Sequence, residues 1–444
     1  MLDRNLIQYS FGTKATATGY DYFSAQTESF DIKANDMVIS TAQPKSVLLN
    51  VLFEPKTFMA DSSTYDITAW SLPYIYGLRS YGLTAPLKVN NVGKGVIAAT
   101  PASTQKSVQA YAYVSGWQSA EDARFLAALL KKNIRVRVSE DPFASGGKQF
   151  NAGSLIITRA GNNKTDFDQT VRQTALQFKR ELTPLSTGLM DKGSDIGSKE
   201  VHVISKPRIL LLSDEGTSYE AVGEIWYYFE QQINYPVTLA RYQELSRVKL
   251  TDYDILIVPD GNYPSLPADK LDAWVRDGGK LIVMQNAINQ LVNKKAFAIR
   301  PKADKGADDG KAQTPDIKIY SERAHEAIKL TVPGAIYKLK LDNTHPLGYG
   351  LPDFYYTLKL DDHIYNYLGS GSWNIGTIKK DGYVAGFVGE DIKQKISDGL
   401  LLGVQYLGNG AVVYLVDDPL FRGFWENGKL LFSNAVFMVG PPAP

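Results

Sequence analysis

Three apolar runs in this chain of 444 residues each end in a polar corner. "ILLLSDEG" closes on Asp214, Glu215 and Gly216, "ILIVPDG" on Asp260 and Gly261, and "KLIVMQNA" on Gln285, Asn286 and Ala287. A strand that turns sharply into a helix is where many α/β enzymes stand their nucleophile. Such a site needs an activated oxygen or sulfur, a base within about 3 Å, and donors for the developing oxyanion. Gln285, Asn286 and Ala287 supply no nucleophile. Asn286 is expected to cap the helix that follows, with hydrogen bonding to a ligand as the alternative. The serine elbow fails as well: Gly216-Thr217-Ser218-Tyr219-Glu220 lacks its second glycine, and Ser218 is expected in the first helical turn. What remains for hydrolysis is a weak set, Ser218 or Asp214 with His345 as base.

Other chemistries find little support. The chain has no cysteine, which excludes thiol catalysis, disulfides and cysteine-bound metal. Its four histidines, His202, His325, His345 and His363, form no zinc-type spacing. His345 stands before Pro346 and is expected to be structural; His363 is expected at the surface. No metal or cofactor is therefore expected in this chain. "SGGK", "GSGS" and "DKGSDIG" miss the phosphate-loop pattern. The acidic pairs Asp361-Asp362 and Asp417-Asp418 could be drafted as glycosidase acids, but adjacency does not set the required separation. Trp373, Trp425, Tyr219 and the aromatics of "WSLPYIYG" could contact a glycan or peptide ligand, although packing is the commoner use of such residues.

The elements that must position these residues follow from periodicity. Residues 1–105 read as a β-rich segment, including "KSVLLNVLFEP" as a strand, with an aromatic-dense stretch packed against a neighbour. Residues 106–200 read as a small α/β domain, with a helix over "SAEDARFLAALLKKN" that Ser119 and Asp122 begin. Residues 207–444 alternate continuously apolar strands with helices, which predicts a parallel sheet flanked by helices, in flavodoxin-like layering. "PKADKGADDGKAQTPD" is a charged, mobile insertion in it. Ligands on such a sheet sit beyond the carboxyl ends of its strands, so Asp214, Asp260 and Gln285–Ala287 share one rim. The net charge of +1 gives no steering toward nucleic acid. No apolar run reaches the roughly 18 residues of a membrane span.

Several longer strings resemble a known family. "ANDMVISTAQPKSVLLNVLFEP" with "DSSTYDITAWSLPYIYGL" looks like the region after the catalytic domain in large bacterial zinc carboxypeptidase-like proteins of the M14 family. "DARFLAALLKKNIRVRVSEDPF" with "GSLIITRAGNN" resembles their next stretch. "GAIYKLKLDNTHPLGYG" and "GAVVYLVDDPLFRGFWENGKLLFSNAVF" resemble their C-terminal portion, a class I glutamine amidotransferase-like domain. The resemblance implies a non-catalytic accessory region whose partner is an N-terminal peptidase domain of the same protein, carrying the zinc. It implies export, extracellular or periplasmic, with the leader on the missing half. In active amidotransferase relatives a cysteine occupies the elbow matching Gln285–Ala287, and a late histidine and glutamate complete the triad. No histidine follows Val384 here, so that glutaminase route is not expected.

Overall fold

The computed structural model of the chain describes residues 1–12, 14–57, 67–87, 109–163, 165–302 and 320–440. The expected boundary near residue 105 and most of the charged insertion lie outside them.

The central feature is a mixed sheet of nine strands. Its spatial order is Thr238–Arg241, Ile209–Ser213, Ile255–Val258, Lys280–Met284, Gly410–Leu415, Gly399–Leu407, Ser372–Phe387, Gly334–Leu341 and Phe354–Lys359. The first five run parallel, and every later neighbour is antiparallel. Ile255–Val258 is wholly buried, as a strand covered on both faces must be. The α/β layering is thus present. Beyond the five parallel strands the sheet continues into an antiparallel half, entered at the tight Gly408-Asn409 turn between Gly399–Leu407 and Gly410–Leu415.

A second sheet has five antiparallel strands in the order Thr183–Leu185, Ala112–Ser115, Leu155–Thr158, Arg137–Ser139 and Val201–Val203. Helices Ala120–Lys131 and Phe167–Gln177 accompany it. Ser119 is the N-cap of the first, and Asp122 reaches back to accept the Gln118 N–H at 3.0 Å. The same carboxylate accepts the Ser119 hydroxyl at 2.9 Å, so Asp122 braces the helix start one residue before the N–H that a capping box uses.

Helix Glu426–Phe437 joins the two sheets. All residues from Asn427 to Phe437 are buried. Asn434 is its hub: the Asn434 side chain donates to the Leu347 and Tyr349 carbonyls and accepts from Trp117 Nε1 at 2.7 Å. One apolar cluster accordingly runs from Ala110 through both sheets to Val439. At the other end of this helix, Gly428 packs on the Asp418-Pro419 turn so closely that a Cβ would meet the Pro419 carbonyl at 1.9 Å.

The N-terminal part carries a three-stranded sheet, Gln26–Ile32, Ala15–Asp21 and Tyr81–Gly82. Its aromatic stretch is a wall: Tyr74 and Ile75 are buried with Tyr356, Trp425 and Phe421. Thr68 Oγ1 donates to the Gly334 carbonyl and accepts from the Phe387 N–H. "KSVLLNVLFEP" is corrected from strand to helix, Ser46–Phe53. A short apolar run carries no periodicity that separates the two, and packing on the neighbouring helix Leu72–Tyr76 decides it. Among the described residues, no helix is long and apolar enough to cross a membrane.

Candidate functional site

The three corners do meet. At the carboxyl ends of the parallel strands lies a cleft of about 610 Å³, lined by Gly216, Thr217, Ser218, Asp260, Gly261, Asn262, Asn286, Asn289 and Gln290. Asp260 ties the corners together. Its carbonyl accepts the Ser218 N–H at 2.8 Å, and its carboxylate accepts the Asn286 N–H at 3.1 Å. Thr217 and Gly261 form a β-bridge across the first two corners. A Cβ on Gly261 would lie 2.2 Å from the Gly216 carbonyl, so only glycine permits that approach.

Two non-glycine residues on this rim hold left-handed backbone, Asp214 at φ 74° and Gln285 at φ 48°. Aspartate tolerates that region; glutamine gains nothing from it. Gln285 is therefore in the conformation of a nucleophile elbow, at the end of a central parallel strand, without a nucleophile. Residues Gln285–Gln290 form a short 3-10 helix, and Asn286 does not cap it. The cap expectation is corrected because the helix already starts at Gln285 with Met284 at the cap position, which places Asn286 inside the first turn, where its backbone N–H bonds Asp260. Its exposed side chain lines the cleft instead. Ala287 is buried beneath.

The remaining candidates disperse. Ser218 is the N-cap of helix Tyr219–Tyr227, accepting the Ala221 N–H at 3.3 Å, one residue before the helical turn expected for it. Asp214 pairs with Arg241 at 3.2 Å and lies off the cleft lining. His345 is at the opposite end of the sheet. Its Nε2 faces the Tyr406 hydroxyl at 3.4 Å, and Tyr406 is registered with Ala411, itself paired with Lys280. Four strand residues, or ~13 Å, separate that level from Met284 at the rim. The structure thus does not bring His345 to Ser218 or Asp214, and the hydrolytic set is corrected. His345 Nδ1 accepts the Leu347 N–H, and burial lowers its pKa to about 4, so it is a neutral, structural imidazole.

Trp425 is fully buried, with its indole N–H donating to the Tyr356 carbonyl, and is corrected from ligand contact to core. Trp373 is exposed but stands beside His345, away from the rim. Tyr219 is 75% exposed at the start of the helix that Ser218 caps.

Sequence reasoning missed two groups. The first is Asn262, Asn289 and Gln290. Residues 286, 289 and 290 have the spacing that shares one helical face, which is a signal in "QNAINQ". The second is a carboxyl pair. Glu224 on the rim helix meets Asp418 beyond the Gly410–Leu415 strand, and nothing in the sequence brings these residues together. Burial and the hydrogen bond to Asp418 push the Glu224 pKa up to about 10, and burial raises Asp418 too, so the pair holds one proton between its two carboxyls. The Arg422 N–H also donates to Glu224 Oε1 at 2.6 Å.

Asp417 turns the other way. It accepts from the Thr357 hydroxyl and from Lys359 Nζ, whose side chain is wholly buried. Lys359 also bonds Asp361, and Asp361 bonds His363 Nδ1 at 3.0 Å. His363 is thus a paired residue rather than a free surface one, and the hydrogen bond to Asp361 raises its pKa. Among the described residues, no cluster of three histidines or carboxylates is arranged to hold a metal ion.

No family model matches this chain, and no curated protein does. Solved structures do overlay on it. A glutamine amidotransferase from Thermotoga maritima covers 52% of this chain and 97% of its own, with TM-score 0.34 and 9% identity. A protein described as a GMP synthase subunit from Thermoplasma acidophilum covers 52% and 92%, with TM-score 0.31 and 9% identity. A β-galactosidase from Bacillus circulans sp. alkalophilus covers 63% of this chain and 36% of its own, with TM-score 0.30 and 12% identity. No function is transferred at these scores.

Proposed function

We propose that this chain is a non-catalytic α/β accessory region whose rim cleft holds a neutral, polar ligand without transforming it. One observation carries the reading: Gln285 occupies an elbow-type left-handed corner with no nucleophile on it, while His345 sits at the far end of the sheet. The site offers amides, two hydroxyls and one carboxylate for hydrogen bonding; the Ser218 hydroxyl is engaged as a helix cap and with the exposed Glu220 carboxylate at 3.2 Å, and His345 does not reach it. On the resemblance to M14-family proteins, the catalytic partner is a zinc peptidase domain of the same polypeptide, working outside the cytoplasm. This chain would then orient or restrict what reaches that domain.

The test is Gln285→Cys. A cysteine on the elbow restores the nucleophile type but not a base. The variant is expected to show no glutamine hydrolysis above buffer and, like the wild type, no release of C-terminal residues from peptides. Turnover of either substrate by the wild-type chain would overturn the reading.

A further inference from the structure

Helix Tyr219–Tyr227 begins on the cleft and carries an unusual outer face. Tyr219, Trp226 and Tyr227 are 75%, 43% and 51% exposed, while Ala221, Val222 and Ile225 face inward. Tyr219 and Trp226 are seven residues apart, so they share one face about 10.5 Å apart along the axis. Between them is Gly223, with open space where a side chain would stand. Tyr227 lies over Gly423 of the adjoining turn, its ring 3.7 Å from where a Cβ would be. The result is two aromatic rings with a flat gap between them, leading from an amide-lined cleft.

We infer that this cleft and the aromatic face of the adjoining helix together form a binding site for a neutral oligosaccharide. The inference rests on the non-catalytic, ligand-holding reading above and names its ligand class. Sugars present two surfaces at once, hydroxyl edges and apolar C–H faces. Asn262, Asn286 and Asn289 match the first; Tyr219 and Trp226 match the second. The axial spacing of the rings suits an extended glycan that places one sugar on each and bridges Gly223 between them.

The alternatives fit less well. An anion would meet the Asp260 carboxylate in the cleft and Glu220 in the first helical turn, which offset the attraction of the helix N-terminus. A cation would find only Asp260 on the lining and Glu220, whose carboxylate is bonded to the Ser218 hydroxyl at the helix N-terminus, which itself repels positive charge. A peptide adding as a strand needs an open backbone edge, and at the cleft the backbones of Thr217 and Gly261 already pair with each other. The volume of about 610 Å³ is in the range of small-ligand sites.

The test is calorimetric titration of the full chain with cellopentaose and chitopentaose, beside an uncharged hexapeptide. Tyr219→Ala, Trp226→Ala and Asn286→Ala serve as variants, all at exposed positions that leave the core intact. The expected result is binding of at least one glycan, weakened roughly 3- to 10-fold by each variant. Glycan binding unchanged by all three variants would overturn the inference, because the site would be elsewhere. Peptide binding that is sensitive to Asn286→Ala, without glycan binding, would overturn the ligand class and leave the ligand-holding reading standing. Binding of neither probe would overturn both.

Discussion

Lys359→Met is expected to destabilise the fold by about 3–5 kcal/mol, the usual cost of leaving a buried charge without its partner. The Lys359 side chain is wholly buried, and Nζ contacts Asp417 at 2.8 Å, Asp361 at 3.0 Å and the His363 carbonyl at 2.7 Å. Burial alone would lower its pKa, but the two carboxylates reverse this and hold it cationic. Methionine fills the same volume and removes all three bonds. Asp417 then stays buried with only the Thr357 hydroxyl. The loss should appear as a lower urea midpoint with an unchanged m-value. Lys359→Met with Asp417→Leu should recover part of it, since an apolar pair in place of a buried ion pair is often neutral. A single variant within about 1 kcal/mol of wild type would show that the network contributes little. The network matters to the rim because Asp417 leads into the Asp418-Pro419 turn on which helix Glu426–Phe437 is seated.

Glu224→Gln should flatten the alkaline side of the stability profile. The Glu224 pKa rises from 4.5 to about 10, chiefly through burial and then through Asp418. An acid whose folded pKa is raised contributes stability that is complete below its unfolded value. That contribution fades as pH rises toward the folded value. Wild type should therefore lose stability between about pH 5 and 10, with a slope below about 1.4 kcal/mol per unit, since partial solvent contact screens the effect. Glutamine donates to Asp418 and accepts the Arg422 N–H at any pH, so the variant lacks this slope. Other charges facing the pair, Glu220, Asp260 and Arg422, are unaltered. Equal slopes in both proteins, from denaturant melts at pH 6 and 9, would show that the pair does not share a proton.

At the rim, much of the chemistry is written in neighbouring residues. "ILLL", "ILIV" and "KLIVM" are short apolar runs that end in polar corners and alternate with amphipathic helices, and that alternation reads as parallel strands whose polar ends gather at one edge of the sheet. That Gln285, Asn286 and Ala287 cannot act as a nucleophile is fixed by residue type alone. So is the absence of any thiol.

What the tertiary structure decided depends on distance along the chain. His345 was a plausible base until the register placed Tyr406, and His345 with it, at the amino ends of the strands. Trp425 was a plausible ligand contact until helix Glu426–Phe437 proved to be enclosed between the two sheets. Asn286 has a cap residue's side chain, but the helix starts one residue earlier, at Gln285, and this leaves that side chain to the cleft. The proton shared by Glu224 and Asp418, and the burial of Lys359, depend on residues that only packing makes neighbours. Sequence determines which groups are present and how each strand and helix orients its own side chains. Whether two such groups come within hydrogen-bonding reach is set by strand register and helix docking, and these follow from burying the whole core at once.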